Sequence, residues 1–355
     1  MRKIPINNIK PGMIVGKHLY DKQNALLLSK GHILSQREID RIKSLKYQAI
    51  YIAGNNTNQT GPTEVDDISE ALRNKAVMTV KELFSSISHE KKLNKQAISN
   101  ARSVVENIVN EIVSNKNMTY PMTDMKLFDD YTYYHSVNVM VNAVVLGFSM
   151  GLSKMVLYKL GLGALMHDIG KIFVPKEILE KQDKLTEEEF TIIKKHSTDG
   201  YDYLKKVESF PSESNLAVLT HHEKFNGFGY PDGIMADQIP IFGRILAVAD
   251  VFDALISDRP YRKAMMPAEA VEYIVGGSGE QFDPQVVNAF IEKISPYPIG
   301  THVVLSNGQK AIVVKNRPKF GLRPKVMVIG SNTPPLYYDL SEEALDITIT
   351  KISYD

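Results

Sequence analysis

The chain has 355 residues, more than one hydrophobic core usually spans, so two or three domains are expected. Its apolar fraction of 43% and charged fraction of 23% are those of an ordinary soluble protein with real cores. A net charge of +1 excludes a global basic field for long nucleic acid, and the absence of cysteine excludes disulfides, thiolate metal sites and cysteine nucleophiles.

The opening MRKIPINNIKPGM has no apolar stretch of signal-peptide type, and with the lack of cysteine this fits a cytoplasmic protein. Residues 1–53 alternate short apolar runs with turn residues such as Pro11-Gly12 and Lys30-Gly31. A helical pattern near Gln36–Leu45 leads into a strand-like Ala49–Ile52, which predicts a small α+β module. Residues 54–65 begin with a polar run of turn formers and read as a linker. Residues 66–123 carry apolar positions at helical spacing, among them Val77, Val80, Leu83 and Ile87, then Val104, Ile108 and Ile112. These predict two amphipathic connecting helices broken near 88–94. Over 66–117 they either dock on the next domain or form a homodimer seam.

Residues 124–295 are helix-dominated, with helices expected near 130–150, 153–168, 186–206, 212–222, 240–257, 267–275 and 284–294. Thr186 before Glu187-Glu188-Glu189 is a helix-start signal, and Pro267 and Pro284 suit first-turn positions. Val137–Leu152 is the most lipid-like stretch. It is short for a span and holds Asn138, Asn142 and Ser149, so a buried core helix is expected rather than a membrane segment. From 296 to 355 the pattern turns to β-branched runs, Thr301–Leu305, Ala311–Lys315 and Val326–Ile329. Asn307-Gly308 between the first two is a hairpin signal. The fold class expected is mainly α, with a small α+β module before the helical domain and a small β-rich segment after it.

Five of the nine histidines fall within the 88 residues from 135 to 222. His167-Asp168 closes an apolar helical run, where an imidazole and a carboxylate at a helix end can hold a hard or borderline metal. Lys171 lies three residues on, within reach of the same cavity if helical geometry persists. Asp250 sits in the apolar run Ile245–Phe252, where a carboxylate is costly unless paired or bound to a cation. Each feature alone has a plainer reading. Asp250 could pair with Arg244 or Arg259, His135 could be a hydrogen-bonded core histidine, and His196 after Lys194-Lys195 could be exposed.

Their order, His135, His167-Asp168, Asp250, resembles the signature of the HD-domain phosphohydrolases. The run His221-His222-Glu223-Lys224-Phe225-Asn226-Gly227-Phe228-Gly229-Tyr230-Pro231 is similar to the HHE…GYP segment of the HD-GYP subfamily. His196–Gly200, Ser257–Arg262 and Gly279–Pro284 also look like family segments. The resemblance covers about 124–294. It implies an all-α HD-type catalytic domain that hydrolyses cyclic di-GMP to pGpG or GMP.

Carried over by position, the resemblance gives one metal His135, His167, Asp168 and Asp250. A second takes His196, His221 and His222, with Asp168 bridging. Lys171, Arg259 and Arg262 contact phosphate, Tyr230 lines the guanine or phosphate pocket, and Asp253 supports the site from behind the ligands. Imidazole and carboxylate donors without thiolate suit iron, manganese or zinc. Two such ions can share a water, lower its pKa and aim it at phosphorus. Family members with a third metal draw on a glutamate four residues before the first histidine. Here that residue is Tyr131, so two ions are expected. Cyclic GMP–AMP as substrate, and a catalytically silent dinucleotide-binding module, are the alternatives.

Overall fold

The structure is a computed structural model. It describes residues 2–21, 25–45, 47, 49–53, 69–90, 95–115, 120–121, 131–181, 183–208, 210–257, 264–297, 299–317, 319–330 and 334–353. The expected linker at 54–65, and Arg259 and Arg262, lie outside the described residues. The chain forms two compact units. One comprises Met1–Asp66, Pro121–Tyr131 and Ile294–Asp355, the other Asp67–Tyr120 and Thr132–Lys293.

In the first unit, strand β1 (Arg2–Pro5) pairs antiparallel with β4 (Ala49–Ile52), Lys3 opposite Tyr51. Strands β2 (Leu19–Tyr20) and β3 (Leu26–Leu28) form a second antiparallel pair. Helix α1 (Gln36–Ser44) starts at a reciprocal cap, in which Ser35 accepts from the Glu38 backbone and Glu38 accepts from that of Ser35. Ile39 and Ile42 of α1 share a core with Ile4, Val15, Leu34, Ile50 and Ile52.

The second unit is helical. It contains α2 (Glu70–Glu90), α3 (Lys95–Ser114), α4 (Tyr131–Ser149, from Thr132 on), α5 (Lys154–Leu165), α6 (Lys176–Leu179), α7 (Glu187–Lys194), α8 (His196–Leu204), α9 (Ser212–Thr220), α10 (Ile241–Leu255), α11 (Pro267–Gly276) and α12 (Pro284–Lys293). The apolar stripes of α2 and α3, including Val80, Leu83, Val104 and Ile108, are buried. Helix α4 buries nearly every residue from His135 to Leu146, as its continuous apolar sequence requires. Among the described residues no helix is long and apolar enough to cross a membrane.

Two expected boundaries differ. The helix expected over 153–168 ends at Leu165, and His167-Asp168 lie on a turn leading into a 3-10 segment, Ile169–Phe173. The single helix expected over 186–206 is two, α7 and α8, meeting at Lys195. The physical reason is Gly170. A Cβ at this position would lie 1.9 Å from the His196 carbonyl oxygen and 2.7 Å from the Gly200 nitrogen. The backbone of α8 therefore rests directly on the turn after His167-Asp168, and a helix running straight on from α7 is not what packs there.

Two-residue strands β5 (Tyr120–Pro121) and β6 (Ile294–Ser295) occur where the chain passes between the units. The C-terminal strands β7 (His302–Leu305), β8 (Lys310–Lys315), β9 (Lys325–Val328), β10 (Tyr337–Asp339) and β11 (Ile349–Ile352) form an antiparallel sheet in the order β10-β9-β8-β7-β11. Val303, Leu305, Ala311, Val313, Val326 and Val328 point to its buried face. Gly308 takes φ +83° in the β7–β8 turn, as the Asn307-Gly308 signal requires.

Candidate active site

Five elements of the helical unit bring their polar residues to one place. Helix α4 supplies His135, the turn after α5 supplies His167 and Asp168, and α8 begins with His196. The C-terminal end of α9 gives His221 and His222, and α10 gives Asp250. His135, His167, Asp168, His196, His221 and Asp250 are all buried. His196 is thus no exposed helix residue. Asp250 does not pair with Arg244, which donates to Asp237 and Asp283 instead.

The ligand-type atoms form two groups. His135, His167 and Asp250 are one and His196, His221 and His222 the other, and within each group the atoms lie within 4.8 Å of one another. Asp168 stands between them. Its Oδ2 is 3.4 Å from His167 Nε2 and 3.8 Å from His135 Nε2, while Oδ1 is 3.5 Å from His196 Nε2. His135 Nε2 lies 3.1 Å from Asp250 Oδ1. Lys171 Nζ donates to Asp168 Oδ2 at 2.6 Å, so the 3-10 turn does bring it to the same cavity.

Backbone geometry sets the imidazoles. Nδ1 of His167, His196 and His221 each lies 2.7–2.8 Å from the carbonyl three residues earlier, those of Ala164, Ile193 and Val218. A neutral imidazole that donates there through Nδ1–H presents Nε2 as a bare acceptor. Nε2 of His196 and of His221 then face each other at 3.3 Å, two lone pairs with no proton between them. Nε2 of His167 and Oδ1 of Asp168 are buried without a hydrogen-bond partner among the described residues. A bare buried acceptor costs about 1–3 kcal/mol. A divalent cation removes that cost at every one of these atoms, so the donor set fits metal.

The charges agree. Burial opposes ionisation of Asp168 and Asp250, yet Lys171 and the imidazoles beside Asp168, and His135 beside Asp250, hold both carboxyls well below the usual range. Burial and the neighbouring imidazoles push His221 well down and His222 to about 3, and burial also lowers His196. These imidazoles are neutral at pH 7, as metal ligation requires. His135 is raised, because Asp250 and Asp253 outweigh its burial.

Tyr230 stacks on His222 with ring centroids 4.7 Å apart and planes 29° apart, and its backbone N–H donates to the His222 carbonyl. Its loop hangs on Glu223, whose Oε1 accepts from the N–H groups of Asp232 and Gly233 at 2.8 and 3.1 Å. A Cβ on Gly229 would come within 2.4 Å of backbone atoms of Glu223 and Lys224, so only glycine lets the loop fold back this tightly. Asp253 accepts from His135 Nδ1 at 2.7 Å and from Asn138 Nδ2 at 3.0 Å.

Glu223 and Asn138 were not singled out by sequence reasoning. A buried amide in an otherwise apolar helix, three residues from His135, was the signal for the second. Glu223 stood out only as part of its motif.

Comparison with known proteins agrees with this geometry. A family model described as HD domain matches residues 92–286, and one described as a domain of unknown function, DUF3391, matches residues 1–121. A cyclic di-GMP phosphodiesterase of Pseudomonas aeruginosa is 30% identical over 361 residues, covering 93% of this chain and 86% of that protein.

This chain belongs to the HD-domain family, in its HD-GYP branch.

A 3'3'-cGAMP-specific phosphodiesterase of Vibrio cholerae is 38% identical over 128 residues, 36% of this chain and 24% of that one. Among solved structures, an HDG"Y"P protein from Bdellovibrio bacteriovorus shares the fold with a TM-score of 0.51 and 18% identity. The match covers 81% of this chain and 97% of that one.

Proposed function

We propose that this HD-GYP chain is a metal-dependent phosphodiesterase that hydrolyses cyclic di-GMP to the linear dinucleotide pGpG, or on to GMP, in the cytoplasm. The observation that carries the reading is the 3.3 Å approach of Nε2 of His196 to Nε2 of His221, both rings engaging a backbone carbonyl through Nδ1, beside the bare Oδ1 of Asp168. A scaffold has no use for such an array, and a cation-bearing hydrolase does. The substrate class follows from the family together with the relative that spans most of the chain.

His135, His167, Asp168 and Asp250 would hold one ion, and His196, His221 and His222 a second, with Asp168 reaching both. Iron or manganese suits these donors best, and zinc is accommodated. Divalent ions bound there would supply an activated water and positive charge for the phosphoryl oxygens.

The chain's own groups do the rest. Lys171 steadies Asp168 and offers an ammonium toward substrate phosphate, and Arg259 and Arg262 would add guanidinium contacts to the phosphates. The Tyr230 ring covers His222 and presents an aromatic face to a guanine. Asp253 holds His135 in one orientation.

The test is to purify the protein without oxygen, reconstitute it with iron or manganese, and offer cyclic di-GMP, cyclic GMP–AMP and pGpG, separating products by chromatography. Cleavage of cyclic di-GMP in preference to the others is expected. Turnover of none at full metal loading would sink the enzyme reading, and preference for cyclic GMP–AMP would replace the substrate.

A further inference from the structure

Three of the site's imidazoles are oriented by backbone carbonyls of their own chain segment, which no side-chain change removes. His135 is oriented differently. Its Nδ1 meets Asp253 Oδ2 at 2.7 Å, the other oxygen of Asp253 accepts from Asn138 Nδ2 at 3.0 Å, and Asn138 Oδ1 faces Nη1 of Arg73 at 3.4 Å. His135, Asn138 and Asp253 are 3%, 6% and 1% exposed, so this relay runs through the interior. It begins on α2, a helix that also packs against the Ile169–Phe173 turn.

The chemistry of the groups gives the relay a direction. A guanidinium only donates, so Arg73 fixes which end of the Asn138 amide is oxygen. The amide nitrogen must then face Asp253. With Oδ1 engaged, Asp253 turns Oδ2 to His135 and selects the tautomer protonated on Nδ1. His135 Nε2, 3.1 Å from Asp250 Oδ1, is thereby the ring nitrogen turned to the place where an ion would sit. With Arg73 removed, the amide oxygen loses its donor and only Asp253 still holds the amide, so Asn138 is tethered at one end and its hold on Asp253 Oδ1 loosens.

We infer that Arg73 is a positioning residue for the His135 imidazole, acting through Asn138 and Asp253, so that ion binding by the His135, His167 and Asp250 group depends on helix α2. This rests on the reading that these residues hold a metal ion. Loss of a partner behind a metal ligand typically weakens metal affinity 10–100-fold. Arg73 stands two steps further back than such a partner, so about tenfold is expected.

The experiment is a manganese titration of the metal-free full chain, followed by calorimetry and by the electron paramagnetic resonance signal of free manganese. The samples are the wild type, Arg73→Met, Arg73→Lys, Asn138→Leu and the Arg73→Met/Asn138→Leu pair. Arg73→Met should weaken one of two bound ions about tenfold and leave the other within about twofold, and Arg73→Lys should recover most of the loss. In the Asn138→Leu background Arg73→Met should cost less than about twofold more, because the relay is already cut.

Unchanged affinities in Arg73→Met would overturn the inference, and so would a loss that adds in full to that of Asn138→Leu. If Asn138→Leu does not fold, the Met and Lys variants at Arg73 decide alone. A folded wild type that takes up no manganese would overturn the metal reading, and this inference with it. Two bound ions with indifferent Arg73 variants would overturn the inference only.

Discussion

Lys171 Nζ lies 2.6 Å from Asp168 Oδ2, one 3-10 turn away, on the carboxylate that stands between the two metal-type groups. The ammonium is about a third exposed while the carboxylate is buried, so Lys171 joins the interior of the site to its mouth. One charge thereby serves a carboxylate at rest and, on the proposed function, would meet a phosphoryl oxygen when substrate enters.

Lys171→Met should therefore lower turnover by about 10²–10³, the range for loss of one charge-stabilising donor. In the metal-loaded enzyme the melting temperature should change little, because bound ions would balance the buried Asp168 charge that Lys171 otherwise meets alone. Steady-state kinetics with thermal melts checks this. A large loss of stability with proportionate loss of activity would make Lys171 structural.

The metal-free protein should lose stability as pH falls from 7.5 to 5.5. His196, His221 and His222 are held below the histidine range, His222 at about 3. The unfolded chain takes up protons near pH 6.5 that the fold refuses, so the stability these residues confer is lost on acidification. His135 is raised and acts in the opposite sense, one group against three. A melting temperature lower by about 4 °C or more at pH 5.5 is expected, and a flat or rising one would contradict the neutral-imidazole account.

Gly170→Ala should be among the most damaging small substitutions in the chain. Its Cβ would meet the His196 carbonyl at 1.9 Å, and both partners are backbone. A cost of about 3 kcal/mol or more is expected in denaturant unfolding. A cost under about 1 kcal/mol would mean that α8 is not held where the structure has it.

Much of this was legible beforehand, for identifiable reasons. The run from His221 to Pro231 fixes a local loop, and the Thr186 and Asn307-Gly308 signals act within a few residues, so sequence alone carries them. The break at Lys195 was not legible. No Pro or Gly marks it, and its cause is the approach of Gly170 from another part of the chain. The same holds for Asn138. Its partner Asp253 is 115 residues away, and only the packing of α4 on α10 brings the two together.

The most direct test of the two-ion site is the metal content of the anaerobically reconstituted wild type and of Asp168→Ala, measured per folded chain. The two-ion site predicts close to two iron or manganese ions in the wild type, and loss of both in the variant, because Asp168 reaches both groups. A wild-type content of one or of three, or two ions retained by Asp168→Ala, would contradict it.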